Sequence, residues 1–299
     1  MGGTGTGTVA TGASISASEL GTYAGNAYGI LSQVRLGINE HSAALVQGTD
    51  TTGAFKNEEL MRHINNSQYH IWSIIFEQFP EYFLTSASLA FTSSVATLPS
   101  DLFKIRDVSD SDGYSVNPIS ISQRHIASDT GSSHDYYRYG NTLRIDADDV
   151  TDTGTLWYYS RCRELDMGLT SAGGAASATL ATTAKAIADY YNGMKIENMT
   201  DATVDTITDY SAARVCTVSN TWAASKYYGI VSDLPEIFQP LIAEYAILQL
   251  KKSPKVPLQV SVADIQLFNE MLRSYMKSFA GTLNTDTYIG NIVNDFESF

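Results

Sequence analysis

The strongest constraint on this chain is an abrupt change of hydrophobic period at Pro80. Before it, Leu60, Ile64, Ser67, Ile71 and Ile75 recur at three- and four-residue spacing, flanked by Met61, Trp72 and Phe79. That spacing predicts an amphipathic helix over 57–79. Proline has no N–H to continue the ladder, so the helix is expected to stop there. After it the apolar residues alternate. Residues 84–91 (LTSASLAF), 95–98 and 102–108 read as short antiparallel strands, with Pro99-Ser100-Asp101 turning between the last two. Further strand segments are expected from Asn117, over 136–139, 142–146 and 155–159, with Gly140-Asn141 as a tight hairpin turn. Helices followed by a run of strands define an α+β chain.

The flanks extend this pattern. A helix is expected over 19–38, capped by Ser18, with Leu20, Tyr23, Ala27, Ile30, Leu31 and Val34 as its stripe, followed by a polar loop over 39–53. Residues 1–18 (MGGTGTGTVATGASISAS) have the composition of a flexible arm, and their glycine spacing does not fit a phosphate-cradling G-x-G-x-x-G loop. They also lack the cationic and apolar regions of a secretory leader. Thr170–Ala178 (TSAGGAASA) reads as a linker, and short strands follow over 195–199, 204–208, 214–218 and 227–231. Helical spacing resumes at an Asp233 cap with Pro235 and Glu236 in the first turn, and Ile237, Leu241, Tyr245 and Leu248 on one face. A last helix starts at Ser261 with Asp264 three residues on. It carries Ile265, Phe268, Leu272, Tyr275 and Phe279 as far as Gly281. The expected architecture has about four helices in a core, an antiparallel β-rich block and an inserted small β domain. Its parts are an arm (1–18), a core (19–164 plus 233–281), an insert (165–232) and an extended tail (282–299).

Charge narrows the function. The 299 residues include 32 acidic and 19 basic side chains, for a formal charge of −13. Tight nucleic-acid binding needs clustered Lys and Arg to release counterions, and this balance argues against it. No apolar run approaches the roughly 20 residues of a bilayer span, so no membrane partner is expected. Cys162 and Cys216 are too few for a disulfide framework, which suits a reducing compartment.

Catalytic and metal signatures are sparse. His63 and His70 lie two turns apart, but no acid or thiol at matching spacing completes a zinc set, and His41, His125 and His134 join no motif. Asp107, Asp110 and Asp112 before Gly113 approximate a calcium loop. The frame puts Val108 and Ile119 at positions that require acids, so it fails. Asp146, Asp148, Asp149 and Asp152 lack the glycine such a loop requires. There is no G-x-S-x-G elbow, Gly131-Ser132-Ser133 being out of frame, and no P-loop. A glycosidase carboxylate pair has no linear signature and stays open. The expectation is a protein without catalysis, cofactor or metal.

Aromatic residues are the richest signal. Tyr136-Tyr137-Arg138-Tyr139, Trp157-Tyr158-Tyr159 and Tyr227-Tyr228 put rings on both faces of expected strands. One face suits a core. The other suits a protein interface, where Tyr buries area while its hydroxyl stays satisfied, or a sugar-stacking surface. Tyr137, Tyr139, Trp157, Tyr159, Trp222 and Tyr227 are the candidate interface residues.

Several segments in this order resemble the head-to-tail adaptor proteins of tailed bacteriophages. They are the helix FKNEELMRHINNSQYHIWSIIFEQFP, then YFLTSASLAF, LPSDLFKIRDV, PISISQRHIA, YRYGNTLRI and GTLWYYSRCREL, and finally DLPEIFQPLIAEYAILQLKK with its following helix. The resemblance covers 19–164 and 233–280. It implies a homo-oligomeric ring, usually of twelve copies, docked on the portal protein and joined to a tail or nozzle protein. DNA would pass through its channel without specific binding. It places the protein at the head–tail junction of the virion, assembled in the host cytoplasm. It also implies that the C-terminal end reaches the portal, with Tyr288, Ile289, Ile292, Phe296 and Phe299 as apolar anchors in a partner groove. The insert and the arm depart from the family's compact form. A receptor- or carbohydrate-binding virion module, centred on Trp157 and Trp222, is the alternative.

Overall fold

The computed structural model describes residues 17–123, 135–146, 150–256 and 259–282. Among them it is mixed α+β, with six α-helices and four mostly antiparallel sheets, so the expected four helices undercount. Contacts divide the chain into two compact units, Met1–Ile71 with Arg163–Phe299, and Trp72–Cys162.

In the first unit, the expected helix over 19–38 is broken. Helix α1 spans Ala17–Leu20, Gly21 takes a positive φ of 74°, and α2 spans Ala27–Gly37. Only glycine adopts that backbone without cost, so the break is built into the sequence. Asn26, not Ser18, caps α2, its Oδ1 accepting from the Tyr28 and Gly29 N–H groups. The expected loop over 39–53 holds a short helix, α3 (Ala43–Gln47), with Ser42 as N-cap and Gly48 in the left-handed region closing it.

Helix α4 (Asn57–Gln78) is the one that periodicity foresaw. Leu60, Ile64, Ser67, Ile71 and Ile75 are all essentially buried. Asn65, on its first half, exchanges two hydrogen bonds with the Leu165 backbone at 2.7 and 3.1 Å. Gln68 donates to the Arg163 carbonyl at 2.7 Å and accepts from the Ser232 hydroxyl at 2.5 Å. One helix thus fastens both ends of the 165–232 segment.

That segment forms two four-stranded sheets. One has the order β12 (Thr203–Thr206), β11 (Lys195–Asn198), β15 (Tyr227–Ile230), β8 (Met167–Leu169). The other runs β13 (Asp209–Tyr210), β14 (Val215–Thr217), β10 (Ser177–Thr179), β9 (Ala172–Gly174). The expected linker over 170–178 is therefore the β9–β10 hairpin. Its small residues serve packing: a Cβ on Gly173 would lie 2.5 Å from the Trp222 carbonyl oxygen.

Helix α5 (Pro240–Leu250) follows a 3-10 turn at Glu236–Phe238. Asp233 does not cap it, because its carboxylate is paired with Arg163. Helix α6 (Val262–Thr282) opens on the expected reciprocal box: Ser261 N–H donates to Asp264 at 2.9 Å and Asp264 N–H to Ser261 at 3.1 Å. It runs through Gly281 instead of stopping there.

The second unit holds the period-two block. A three-stranded sheet has β7 (Thr153–Ser160) at its centre, between β1 (Leu84–Ala90) and β3 (Leu102–Ser109). A four-stranded sheet has the order β2 (Val95–Thr97), β6 (Thr142–Ile145), β5 (Asp135–Tyr139), β4 (Asn117–Pro118). Its β4–β5 pair is parallel. Leu89, Val108, Leu156 and Tyr158 from the first sheet join Ala96, Tyr136, Leu143 and Ile145 from the second in one core, so the sheets pack face to face. The expected hairpin closes at Tyr139 opposite Thr142, and strand pairing otherwise joins segments far apart in sequence.

Candidate interaction surface

Strand β7 sorts its aromatics by face. Leu156 and Tyr158 point into the core, while Trp157 lies opposite Ser86 of β1 and Asp107 of β3. Tyr159 shares the Trp157 face, but its ring lies 5.6 Å from that of Phe76 and it is buried, its hydroxyl donating to Glu81 at 2.9 Å. Trp157 has only small or polar cross-strand neighbours and stays 43% exposed.

Beside Tyr159 lies a cluster of rings. Trp72 sits 5.1 Å from Phe76 and 4.9 Å from Phe103, centroid to centroid, and Phe83 and Tyr82 continue it. Phe103 and Tyr82 are nonetheless 47% and 43% exposed. On the other sheet Tyr139 is exposed and Tyr137 half-buried. Tyr114, on the loop after β3, is the most exposed ring.

These positions share a unit. The exposed aromatic residues among those described are Tyr82, Phe103, Tyr114, Tyr139 and Trp157, all within Trp72–Cys162. Among the described residues of the first unit, the exposed large side chains are aliphatic, such as Val262 and Leu267. Half-exposed Trp, Tyr and Phe are the residue types that anchor protein interfaces.

Of the six candidate interface residues, Tyr159 and Trp222 are corrected to core positions. Trp222 is 2% exposed and its indole N–H donates to Asp205 at 2.8 Å. Tyr227 is half-buried, with its ring 5.8 Å from that of Tyr28. Tyr288, Ile289, Ile292, Phe296 and Phe299 lie outside the described residues, as do His125, His134, Asp148 and Asp149.

The first unit contains a polar cleft of about 370 Å³ that sequence reasoning missed. Glu58, Arg62, Tyr69, Glu164, Asp166 and Thr183 are among its lining residues. The alternation Glu164-Leu165-Asp166 was the available signal. Burial pushes the Asp166 carboxyl up to about 6, against hydrogen bonds from Tyr228, Thr183 and the Met167 backbone that favour the anion. The neighbouring Glu164 is ion-paired with Lys185 at 2.7 Å. The Asp166 carboxylate is thus engaged by Tyr228 of β15, and that of Glu164 by Lys185.

Asp166 carries a pH signature. Its folded pKa lies above the unfolded value, so its stabilising contribution is full below about pH 4 and is lost as pH rises through about 6. This group alone is expected to make unfolding about 1.4 kcal/mol more costly at pH 5 than at pH 7.5. Urea unfolding of Asp166→Asn beside the parent chain at both pH values checks this, since the variant should lose that increment.

Among the described residues, His70 and Asp110 have local partners. His70 stacks on Tyr245 at 4.4 Å, and burial lowers its pKa. Asp110 accepts from the Asp112 and Tyr114 N–H groups, shaping its own turn. No group of three or more His, Cys, Asp or Glu among the described residues is placed to hold a metal ion. No described helix is long and apolar enough to cross a membrane. No protein-family model matches the chain, and a search of curated proteins finds no match.

Proposed function

We propose that the protein is a non-enzymatic structural subunit of a phage virion, a head-to-tail adaptor that forms a ring, docks on the portal and connects capsid to tail. The observation that carries this reading is that the five exposed aromatics among the described residues all fall in the 72–162 unit, which suits a unit that makes subunit contacts. The order of sequence segments supplies the class. In this reading the copies number about twelve, a tail or nozzle protein attaches below, and the acidic chain lets DNA pass without gripping it. The site of action is the head–tail junction, after assembly in the host cytoplasm.

The surface is tested by Trp157→Ser, which removes an exposed ring from a sheet face without opening the core. It is expected to weaken assembly by about tenfold or more in concentration, with an unchanged melting temperature. Assembly equal to the parent chain would reject Trp157 as an anchor. The tail of residues 282–299, with Tyr288, Ile289, Ile292, Phe296 and Phe299, is the proposed portal-docking element. A chain ending at 281 should fold yet fail to co-assemble with portal.

A carbohydrate-binding module is the second reading. Trp157 remains exposed and could stack a sugar, but Trp222 is buried and engaged by Asp205. A glycan array separates the two readings.

A further inference from the structure

The three-stranded sheet of the second unit has two edges of opposite character. Strand β3 is a guarded edge. It carries Lys104, Arg106 and Asp107, its register with β7 shifts twice, and its Val108 carbonyl accepts from the Val116 N–H at 2.7 Å. Charge, irregular register and a covering segment are the means by which sheets keep other strands away. Strand β1 has none of them. Its seven residues, Leu84 to Ala90, include no charged side chain and no proline, and they pair with β7 in unbroken register.

Parity identifies the outward groups of β1. The Phe91 N–H donates to the Asp152 carbonyl at 2.8 Å, which makes Thr85, Ala87 and Leu89 the residues bonded to β7. The backbone groups of Ser86, Ser88 and Ala90 therefore point away from the sheet, and all three residues are exposed. None of those groups has a hydrogen-bond partner among the described residues. The Leu84 N–H alone is taken, by the Glu81 carbonyl. Such a row is a template for one more strand.

We infer that the open edge of β1 receives residues 2–9 of a neighbouring copy as an added strand. Charge and pattern select that segment. Copies bearing −13 each repel, so a join between them forms most readily through chain without charge. Two end segments lie outside the described residues, 1–16 and 283–299. The second carries Asp286, Asp295 and Glu297, whereas the first has no charged side chain. Over 3–8 the first alternates Gly and Thr, so an extended backbone sets every hydroxyl on one face. With that face toward Ser86 and Ser88, the threonines make a favoured cross-strand pairing, and the glycine face needs no core beneath it. Eight extended residues span about 26 Å, enough for the length of β1, and residues 10–16 remain as a tether. The inference rests on the ring reading and adds to it the strand that links adjacent copies.

Mass photometry of the full chain over a concentration series tests it, with three variants beside the parent. Ser88→Pro removes an outward N–H, a change that an edge strand tolerates. Ser86→Lys with Ser88→Lys guards the same edge by charge and keeps the test open if the proline unsettles the strand. Thr6→Pro with Gly7→Pro denies the arm a donor at either parity. Each is expected to raise the half-assembly concentration about 30-fold, the loss of two or three backbone hydrogen bonds, at an unchanged melting temperature. Combining the arm variant with an edge variant should add nothing further, because both break one contact. Chains bearing Thr6→Cys, mixed with chains bearing Ser88→Cys, should then be joined by a short bismaleimide, Cys162 and Cys216 both being buried. Parent-like assembly of all three variants rejects the contact and leaves the ring intact. An effect of the edge variants without the arm variant, or the reverse, rejects the pairing of arm with edge. Cross-links confined to single copies of a chain with both new cysteines reject the neighbour in favour of the chain's own arm. A parent chain that stays monomeric, alone and with portal, rejects the contact and the ring together.

Discussion

Asp205→Ala is expected to destabilise the 165–232 strands by about 3–5 kcal/mol, the largest effect of any single substitution considered for this chain. Asp205 is 3% exposed, yet its carboxylate gathers donors from one loop. Oδ1 accepts from Ser219 N–H and hydroxyl and from Asn220 N–H and side chain, at 2.6–3.1 Å. Oδ2 accepts from the Trp222 indole at 2.8 Å. Burial alone would raise its pKa, but the hydrogen bonds from Ser219, Trp222 and Asn220 outweigh it and hold the carboxyl below its ordinary value. Alanine leaves the buried Trp222 indole without its acceptor and releases the exposed Ser219–Asn220 turn that the carboxylate holds. Trp222→Phe removes one donor and should cost about 1–2 kcal/mol. Chemical denaturation of both variants measures the pair, and equal losses would show that the indole bond, not the loop, carries the effect.

Arg163→Ala is expected to cost about 2–4 kcal/mol and to open the base of the same segment. Its Nε and Nη2 grip Asp233 at 2.8 and 3.0 Å, while Nη1 donates to the Tyr190 and Asn192 carbonyls. One side chain therefore ties the start of the segment, a loop in its middle and the residue just after it. Arg163→Lys should recover little, because a single ammonium cannot serve the carboxylate and two carbonyls in one plane. Hydrogen exchange is the proper readout. Amides of β11 and β15 should lose protection in the variant while those of β7, in the other unit, keep it. Uniform loss across both units would refute a local staple.

Much of the fold was legible because it is local. The α4 stripe, the Ser261–Asp264 box and the Gly140-Asn141 hairpin each depend on residues within a turn or two of each other. What was not legible depends on approach between distant segments. Gly21 ends a helix that stripe counting would continue, and TSAGGAASA has linker composition although Gly173 is small to admit the Trp222 backbone. Asp233 has the position of a cap but finds a stronger partner in Arg163.

The surface was half legible for the same reason. Period two puts Trp157 and Tyr159 on one face, but only packing shows that Phe76 covers the second and leaves the first exposed. Trp222 carries no periodic signal, and its role follows from an acid seventeen residues away.

The central claim is that this chain is an assembly subunit whose 72–162 unit carries the contacts between copies and whose 282–299 tail docks on the portal. Negative-stain imaging of the purified full chain, alone and mixed with portal, tests it most directly. The account predicts a closed symmetric ring seated on the portal, formed less readily by Trp157→Ser. Isolated particles the size of one chain in both samples, with no density added to the portal, would contradict it.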